Sequence, residues 1–244
     1  MNGDFEAALQ QAENRLTARD SIGRLQEKRL HATLKFWLDA DETHHEVPLS
    51  CGAVADIFDG ERVYEIQNGN FSPFRVKLTR LLEQYPVTVV FPLVREKTVF
   101  WVDPQTGERS GGRRSPKRGT FADALPELLF IEKLLFHPRL TLRLQMVDVE
   151  EYRIQDGWGD GGKRGSHRLE RVPVQLGETL DITQPRDLIA CIPAKLPDTF
   201  DAKQYTRCTL QRGRRLHAAL HLLVNCGILT REKQGKKYLY TVSS

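Results

Sequence analysis

Residues 87–94, VTVVFPLV, form an apolar run broken only by Thr88 and set between Pro86 and Arg95. A short run of this kind reads as a strand buried on both faces, the sort found inside an α/β sheet. It fixes the reading of what precedes it. Ser72-Pro73 has the form of a helix start, with Ser as N-cap and Pro in the first turn. Phe74, Leu78, Leu81, Leu82 and Tyr85 then recur at helical spacing until Pro86 stops the helix. Upstream, VYEIQ (63–67) alternates as a strand. Residues 61–94 therefore spell strand–helix–strand, with the two strands parallel.

The first of these strands closes a hairpin with residues 51–58, joined at Asp59-Gly60. A two-residue turn pairs Phe58 with Glu61, Asp56 with Val63 and Val54 with Glu65. That register puts Asp56, Val63, Glu65 and Gln67 on one face, with Asp56 and Glu65 as diagonal neighbours. Two carboxylates held together repel unless a cation lies between them, and hard oxygen donors suit Mg²⁺. A solvated hairpin with incidental acids is the plainer reading, but the buried run at 87–94 argues that this strand is central. Residues 21–38 read as an amphipathic helix with Ile22, Leu25, Leu30, Leu34, Trp37 and Leu38 on its apolar stripe. Glu27 and His31 flank that stripe, and Glu27 reads either as reaching a metal site at the sheet edge or as a boundary residue paired with Arg24 or Lys28.

Glu27 on a first helix, Asp56 on a strand and Glu65-Ile66-Gln67 on the next, followed by a helix, resemble the PD-(D/E)xK nuclease superfamily. The resemblance covers residues 21–94 directly. It implies a restriction-endonuclease-like mixed sheet flanked by helices, with Asp56, Glu65 and the Ile66 carbonyl holding Mg²⁺. It also implies that Glu27 supports a second metal or its water, and that the last motif residue orients the attacking water. That residue is usually Lys and here is Gln67, an E-x-Q form that some restriction endonucleases use. A neutral amide binds water but brings no charge to stabilise hydroxide.

Asn68, Asn70 and Ser72 follow the motif and read either as phosphate contacts or as a loop with its N-cap. Lys77 and Arg80, on the polar face of the helix, read either as contacts to a DNA backbone or as solvated helix charges. Arg113, Arg114, Lys117 and Arg118 crowd one loop, where a polyanion would relieve their repulsion. Residues 121–137 read as a helix, 139–149 as a strand, and the Gly-rich 155–167 as a loop or linker. His44 and His45 read as part of a polar loop.

Residues 201–244 hold nine basic and two acidic residues, a net +7 within a chain whose whole net charge is +4. Residues 183–244 read as three short helices and a two-stranded wing with Gly235 at its tip, and they resemble winged helix-turn-helix domains. The resemblance implies a recognition helix led by Gln211, Arg212, Arg214 and Arg215, with Lys233, Lys236 and Lys237 on the wing. Tyr238 and Tyr240 read as core. The division expected is a nuclease-like domain over 1–155, a linker and connection over 156–182, and a winged helix over 183–244.

The remaining features bound the class. With 40% apolar residues, 244 residues allow one large domain or two modest ones. Cys51, Cys191, Cys208 and Cys226 show neither C-x-x-C nor zinc-finger spacing, so they read as buried or idle thiols. No apolar stretch approaches the roughly 18 residues of a membrane span. The polar, acidic N-terminus is unlike a signal peptide, so the expected place is the cytoplasm. The function expected is Mg²⁺-dependent DNA hydrolysis (Mn²⁺ substituting), with duplex DNA as partner, a homodimer allowed and no membrane. Endonuclease is favoured over exonuclease, in DNA defence, repair or mobile-element biology. The alternatives are a non-catalytic DNA-binding regulator with a decayed nuclease fold and a protein-interaction subunit of a larger complex.

Overall fold

The computed structural model describes residues 4–19, 29–154 and 167–243. The chain is α/β, with a large mixed sheet flanked by helices and a small three-stranded sheet near its C-terminus. The large sheet has the order β1-β2-β3-β4-β6-β7, with β5 on β4. Its strands are β1 (His45–Pro48), β2 (Val54–Phe58), β3 (Val63–Ile66), β4 (Val87–Val102), β5 (Arg113–Arg114), β6 (Leu140–Ile154) and β7 (His167–Ile182).

The chain divides into two compact units. Unit one comprises Met1–His45, Val94–Gly119 and Met146–Glu178, and unit two comprises Glu46–Leu93, Thr120–Gln145 and Thr179–Ser244. Residues 183–244 thus share unit two with the 56–67 hairpin. Residues 167–182, expected as a connection, form strand β7, in which Pro173 and Ile182 are buried while Leu169 and Val174 are exposed.

In unit one, α1 (Phe5–Arg19) packs against α2 (Arg29–Leu38). Sequence reading missed α1, because its buried stripe is only Ala8, Ala12 and Leu16. Helix α2 is buried almost all round, Lys35 included, and Leu38 lies at its margin. Residues 21–28, the expected first turns of that helix, lie outside the described residues, and Glu27 with them.

Unit two holds the strand–helix–strand of the sequence reading. Helix α3 (Phe71–Gln84) joins β3 to β4, and the two strands pair in parallel, Glu65 against Val89 and Ile66 against Val90. The helix starts before the Ser72-Pro73 signal. Asn70 is its N-cap, in the left-handed region at φ 59°, and its side chain caps nothing. Phe71 explains the early start. It is fully buried and lies edge-on to Phe74 at 5.9 Å and Phe91 at 5.0 Å. Its backbone N–H donates to Glu127 Oε2 at 3.4 Å.

The helix expected over 121–137 is broken. A 3-10 turn (Phe121–Ala124), a single α turn α4 (Leu125–Leu128) and a second 3-10 stretch (Leu129–Leu134) follow one another. Ile131 leaves helical geometry at φ −116° and is 1% exposed, so burial of its side chain decides the local backbone.

The C-terminal segment runs through a 3-10 stretch (Pro185–Cys191), β8 (Thr199–Asp201), α5 (Ala202–Thr209), α6 (Gly213–Asn225), β9 (Leu229–Gln234) and β10 (Lys237–Val242). The strand order is β8-β10-β9, with Gly235 in the turn at φ 61°. Strand β8 was not expected. Its Phe200 is fully buried and stacks on Tyr205 and Tyr240, each at 6.0 Å. Tyr240 is core as expected, whereas Tyr238 is 46% exposed. None of the four cysteines is in a disulfide, and burial pushes the Cys191 thiol up to about 12. His44 Nδ1 meets Asp39 Oδ2 at 2.7 Å and His45 Nε2 meets the Asp39 carbonyl at 2.9 Å, so both rings are tied to the chain end of α2.

Candidate functional site

The β2–β3 hairpin sets Phe58 against Val63 and Ile57 against Tyr64. The next step of that register brings Asp56 level with Glu65. The expected register is off by two residues. Asp59 builds a wider loop, its Oδ1 accepting from the backbone N–H groups of Glu61 (2.9 Å) and Arg62 (2.7 Å). A two-residue shift keeps every side chain on its face, so Asp56 and Glu65 still share one, now directly opposite each other rather than diagonal.

Each acid is also bound to the other's strand. The Ile66 backbone N–H donates to Asp56 Oδ2 at 2.8 Å, and the Asp56 N–H lies 3.4 Å from Glu65 Oε1. Ile66 therefore meets the carboxylate of Asp56 through its own amide. Glu65 is 3% exposed, which is unusual for a carboxylate without a paired cation.

The cation is Lys77. Its Nζ donates to Glu65 Oε2 at 2.6 Å. The expected role of Lys77, tracking a DNA backbone, gives way to contact with the acidic pair itself. On α3, Lys77 borders the buried stripe of Phe74, Leu78 and Leu81, which turns it towards the sheet. Burial pushes the Glu65 carboxyl up to about 7, the charge of Asp56 pushes the same way, and Lys77 pulls it back. The site is thus two carboxylates and one ammonium, a hard-oxygen pair that a single lysine neutralises in part.

Gln67 faces away from this role. Its Nε2 donates to the carbonyls of Gly69 and Asn70, so the amide closes the loop into α3. Asn70 contributes that carbonyl and its left-handed backbone, while its side chain makes no cap.

The cation-rich loop lies in unit one and is less crowded than its sequence implies. Arg114 and Arg118 both pair with Glu96, Arg118 at 2.5 Å. Arg113 is exposed on β5, and Lys117 Nα–H reaches Ser115 Oγ at 3.3 Å. A carboxylate on β4 thus offsets part of the repulsion that a polyanion was expected to relieve.

At the start of α6 the expected base-reading set divides. Gln211 is 4% exposed and donates through Nε2 to the Ala122 carbonyl at 2.7 Å. Arg215 Nη2 donates to the Asp123 carbonyl at 3.2 Å. Gln211 is a packing residue, a role its amide would not have signalled in sequence. Arg212 and Arg214 remain exposed. In the hairpin, Lys237 lies 3.6 Å from Asp201 and Lys236 is exposed.

Comparison with known proteins adds lineage. The family described as "Domain of unknown function (DUF8091)" matches residues 28–183. An "Uncharacterized protein" of Treponema pallidum (strain Nichols) is 26% identical over 225 residues, which cover 90% of this chain and 87% of the relative. No solved structure matches the chain. No described helix is long and apolar enough to cross a membrane.

Proposed function

We propose that this chain, a member of the DUF8091 family by the match over residues 28–183, is a metal-dependent DNA nuclease whose centre is Asp56, Glu65 and Lys77. One observation carries the reading. Two carboxylates face each other on adjacent strands, and a lysine from the following helix reaches them at 2.6 Å. The order strand–strand–helix–strand around them resembles that of the PD-(D/E)xK superfamily, and in this reading Lys77 supplies the charge that Gln67 lacks.

The donor set fits Mg²⁺, which binds through one or two carboxylates and keeps several waters. Asp56 and Glu65 would hold it. Bound there, the ion would lower the pKa of its water and neutralise charge on a phosphate. Asp56 fixes the strand by accepting from Ile66, so its carboxylate is held in place before any ligand arrives. Glu65 is kept in a dry setting that strengthens its hold on a cation. Lys77 offers an ammonium that can leave Glu65 for an incoming phosphate oxygen or a nucleophilic water. Gln67 holds the loop that aims α3, and so sets where Lys77 stands. The helix–strand–helix–helix–hairpin order of the C-terminal segment supports a winged-helix reading, with the exposed Arg212, Lys236 and the wing lysines meeting DNA phosphates.

The test is supercoiled plasmid incubated with the protein and Mg²⁺ or Mn²⁺, against a chelator control. Cleavage that needs the metal and disappears in Asp56→Asn supports the reading, and intact plasmid under all these conditions overturns it. The second reading, a DNA-binding regulator without catalysis, is favoured by the turned-away Gln67 amide. It expects DNA affinity without cleavage.

A further inference from the structure

Helix α6 borders a cleft that shares no lining residue with the acidic pair. The helix buries Ala219, Leu220, Leu222 and Leu223 and packs against α4 and the 3-10 stretch after it. Its outer side exposes Arg214, His217 and His221. Together with Arg231 of β9, these line a cleft of about 420 Å³ floored by Leu129, Leu220 and Val224. That volume lies within the range of small-molecule sites. None of its lining residues is acidic.

The side chains in the cleft are of the kinds that hold nucleotides. Guanidinium groups bind phosphate through paired N–H donors, and imidazole or guanidinium planes stack on bases. Neither Arg214 nor Arg231 has an ion-pair partner among the described residues. Arg231 is nevertheless held in place. Its Cζ sits 4.8 Å over the Tyr238 ring, and the residue pairs with Tyr240 across the β9–β10 ladder. The His221 ring is steadied by Asn225 Nδ2 at 3.2 Å. Duplex DNA does not fit this surface as it fits a recognition helix, because the groups line a concavity and the helix start is tied down by Gln211 and Arg215.

We propose that this cleft binds a nucleoside monophosphate, with the phosphate on Arg214 and Arg231 and the base against the imidazoles and the apolar floor. The same chemistry is offered by a free mononucleotide and by the 5′-phosphorylated end of a single strand. The inference does not rest on the nuclease reading.

The experiment is calorimetric titration of the full chain in EDTA, where metal-dependent cleavage is silent, so each reading can fail without the other. The probes are deoxyadenosine 5′-monophosphate, deoxyadenosine, a short single strand with and without a 5′-phosphate, and a blunt duplex. Binding is expected for the phosphorylated probes, and loss of the phosphate should weaken it about tenfold or more. Tighter binding of the phosphorylated strand than of the mononucleotide assigns the strand end as the source, and the reverse order assigns the free nucleotide. Arg214→Gln and Arg231→Gln should each weaken binding by a similar factor, and Ala218→Trp should block the cleft while leaving both arginines in place. The proposal is overturned if neither phosphorylated probe binds at millimolar concentration. It is equally overturned if deoxyadenosine binds as well as the mononucleotide, if the blunt duplex displaces the mononucleotide from the cleft, or if folded Ala218→Trp and both arginine variants bind like wild type.

Discussion

Lys77 Nζ stands 2.6 Å from Glu65 Oε2, and this contact links α3 to the strand that carries the acidic pair. Replacing Lys77 by Met leaves Glu65 facing Asp56 without its cation. Glu65 can answer by taking up a proton, so the cost depends on pH. The expected loss is on the order of 1–3 kcal/mol at pH 8 and less at pH 5. Urea unfolding at the two pH values checks this. Cleavage should fall sharply in Lys77→Met and return in part in Lys77→Arg if the charge acts on substrate.

The metal-free protein should lose stability as pH rises through the range set by Glu65. Its carboxyl titrates near 4.5 when unfolded and at about 7 when folded. Between these values the folded state holds the proton that the unfolded state has released. The stabilisation is complete below 4.5 and gone above about 7, with an upper bound of about 3 kcal/mol. Glu65→Gln should flatten the profile in chelator. Adding Mg²⁺ should stabilise wild type most at the alkaline end, where Glu65 is ionised.

Asp56→Asn and Asp56→Ala should differ. Both remove a metal ligand and should abolish cleavage. The Asn variant keeps an acceptor for the Ile66 N–H, whereas the Ala variant leaves it unpaired at a cost of about 1–3 kcal/mol. Thermal melting of the two variants separates them, and equal melting points would show that the Ile66 contact contributes nothing.

Gln211→Ala should destabilise the protein by about 1–3 kcal/mol by removing a buried donor to Ala122. It should leave the salt dependence of DNA affinity as it was. Lys236→Ala with Lys237→Ala should do the reverse, weakening binding to all sequences alike and flattening the log–log salt slope by up to about two units. The Lys237 contact to Asp201 at 3.6 Å is exposed enough to leave stability little changed.

The carboxylate face was legible because strand alternation has a period of two, and a register error of two residues preserves it. The register itself was not, since Asp59 spends its side chain on a wider loop that the Asp-Gly pair alone does not reveal. Lys77 looked like one more solvated helix charge. Its contact with Glu65 depends on where α3 crosses the sheet, which no local spacing encodes. Phe71 was overlooked at the helix start for the same reason, as its burial is supplied by Phe91 on the next strand. Helix α1 was missed because alanines carry most of its buried stripe.

Strands β4, β6 and β7 each begin in one unit and end in the other, so each unit is assembled from three separate stretches of chain. No single cut releases either unit whole, and a fragment of residues 183–244 would lack the other two stretches of unit two. Assembly of that unit must join residues near 50 to residues near 240, and closing such long loops before their contacts form is slow. Refolding should therefore be slow and highly cooperative, with the acidic pair and the α6 cleft forming in one kinetic phase. A synthesising ribosome could not complete unit two until nearly the whole chain had emerged.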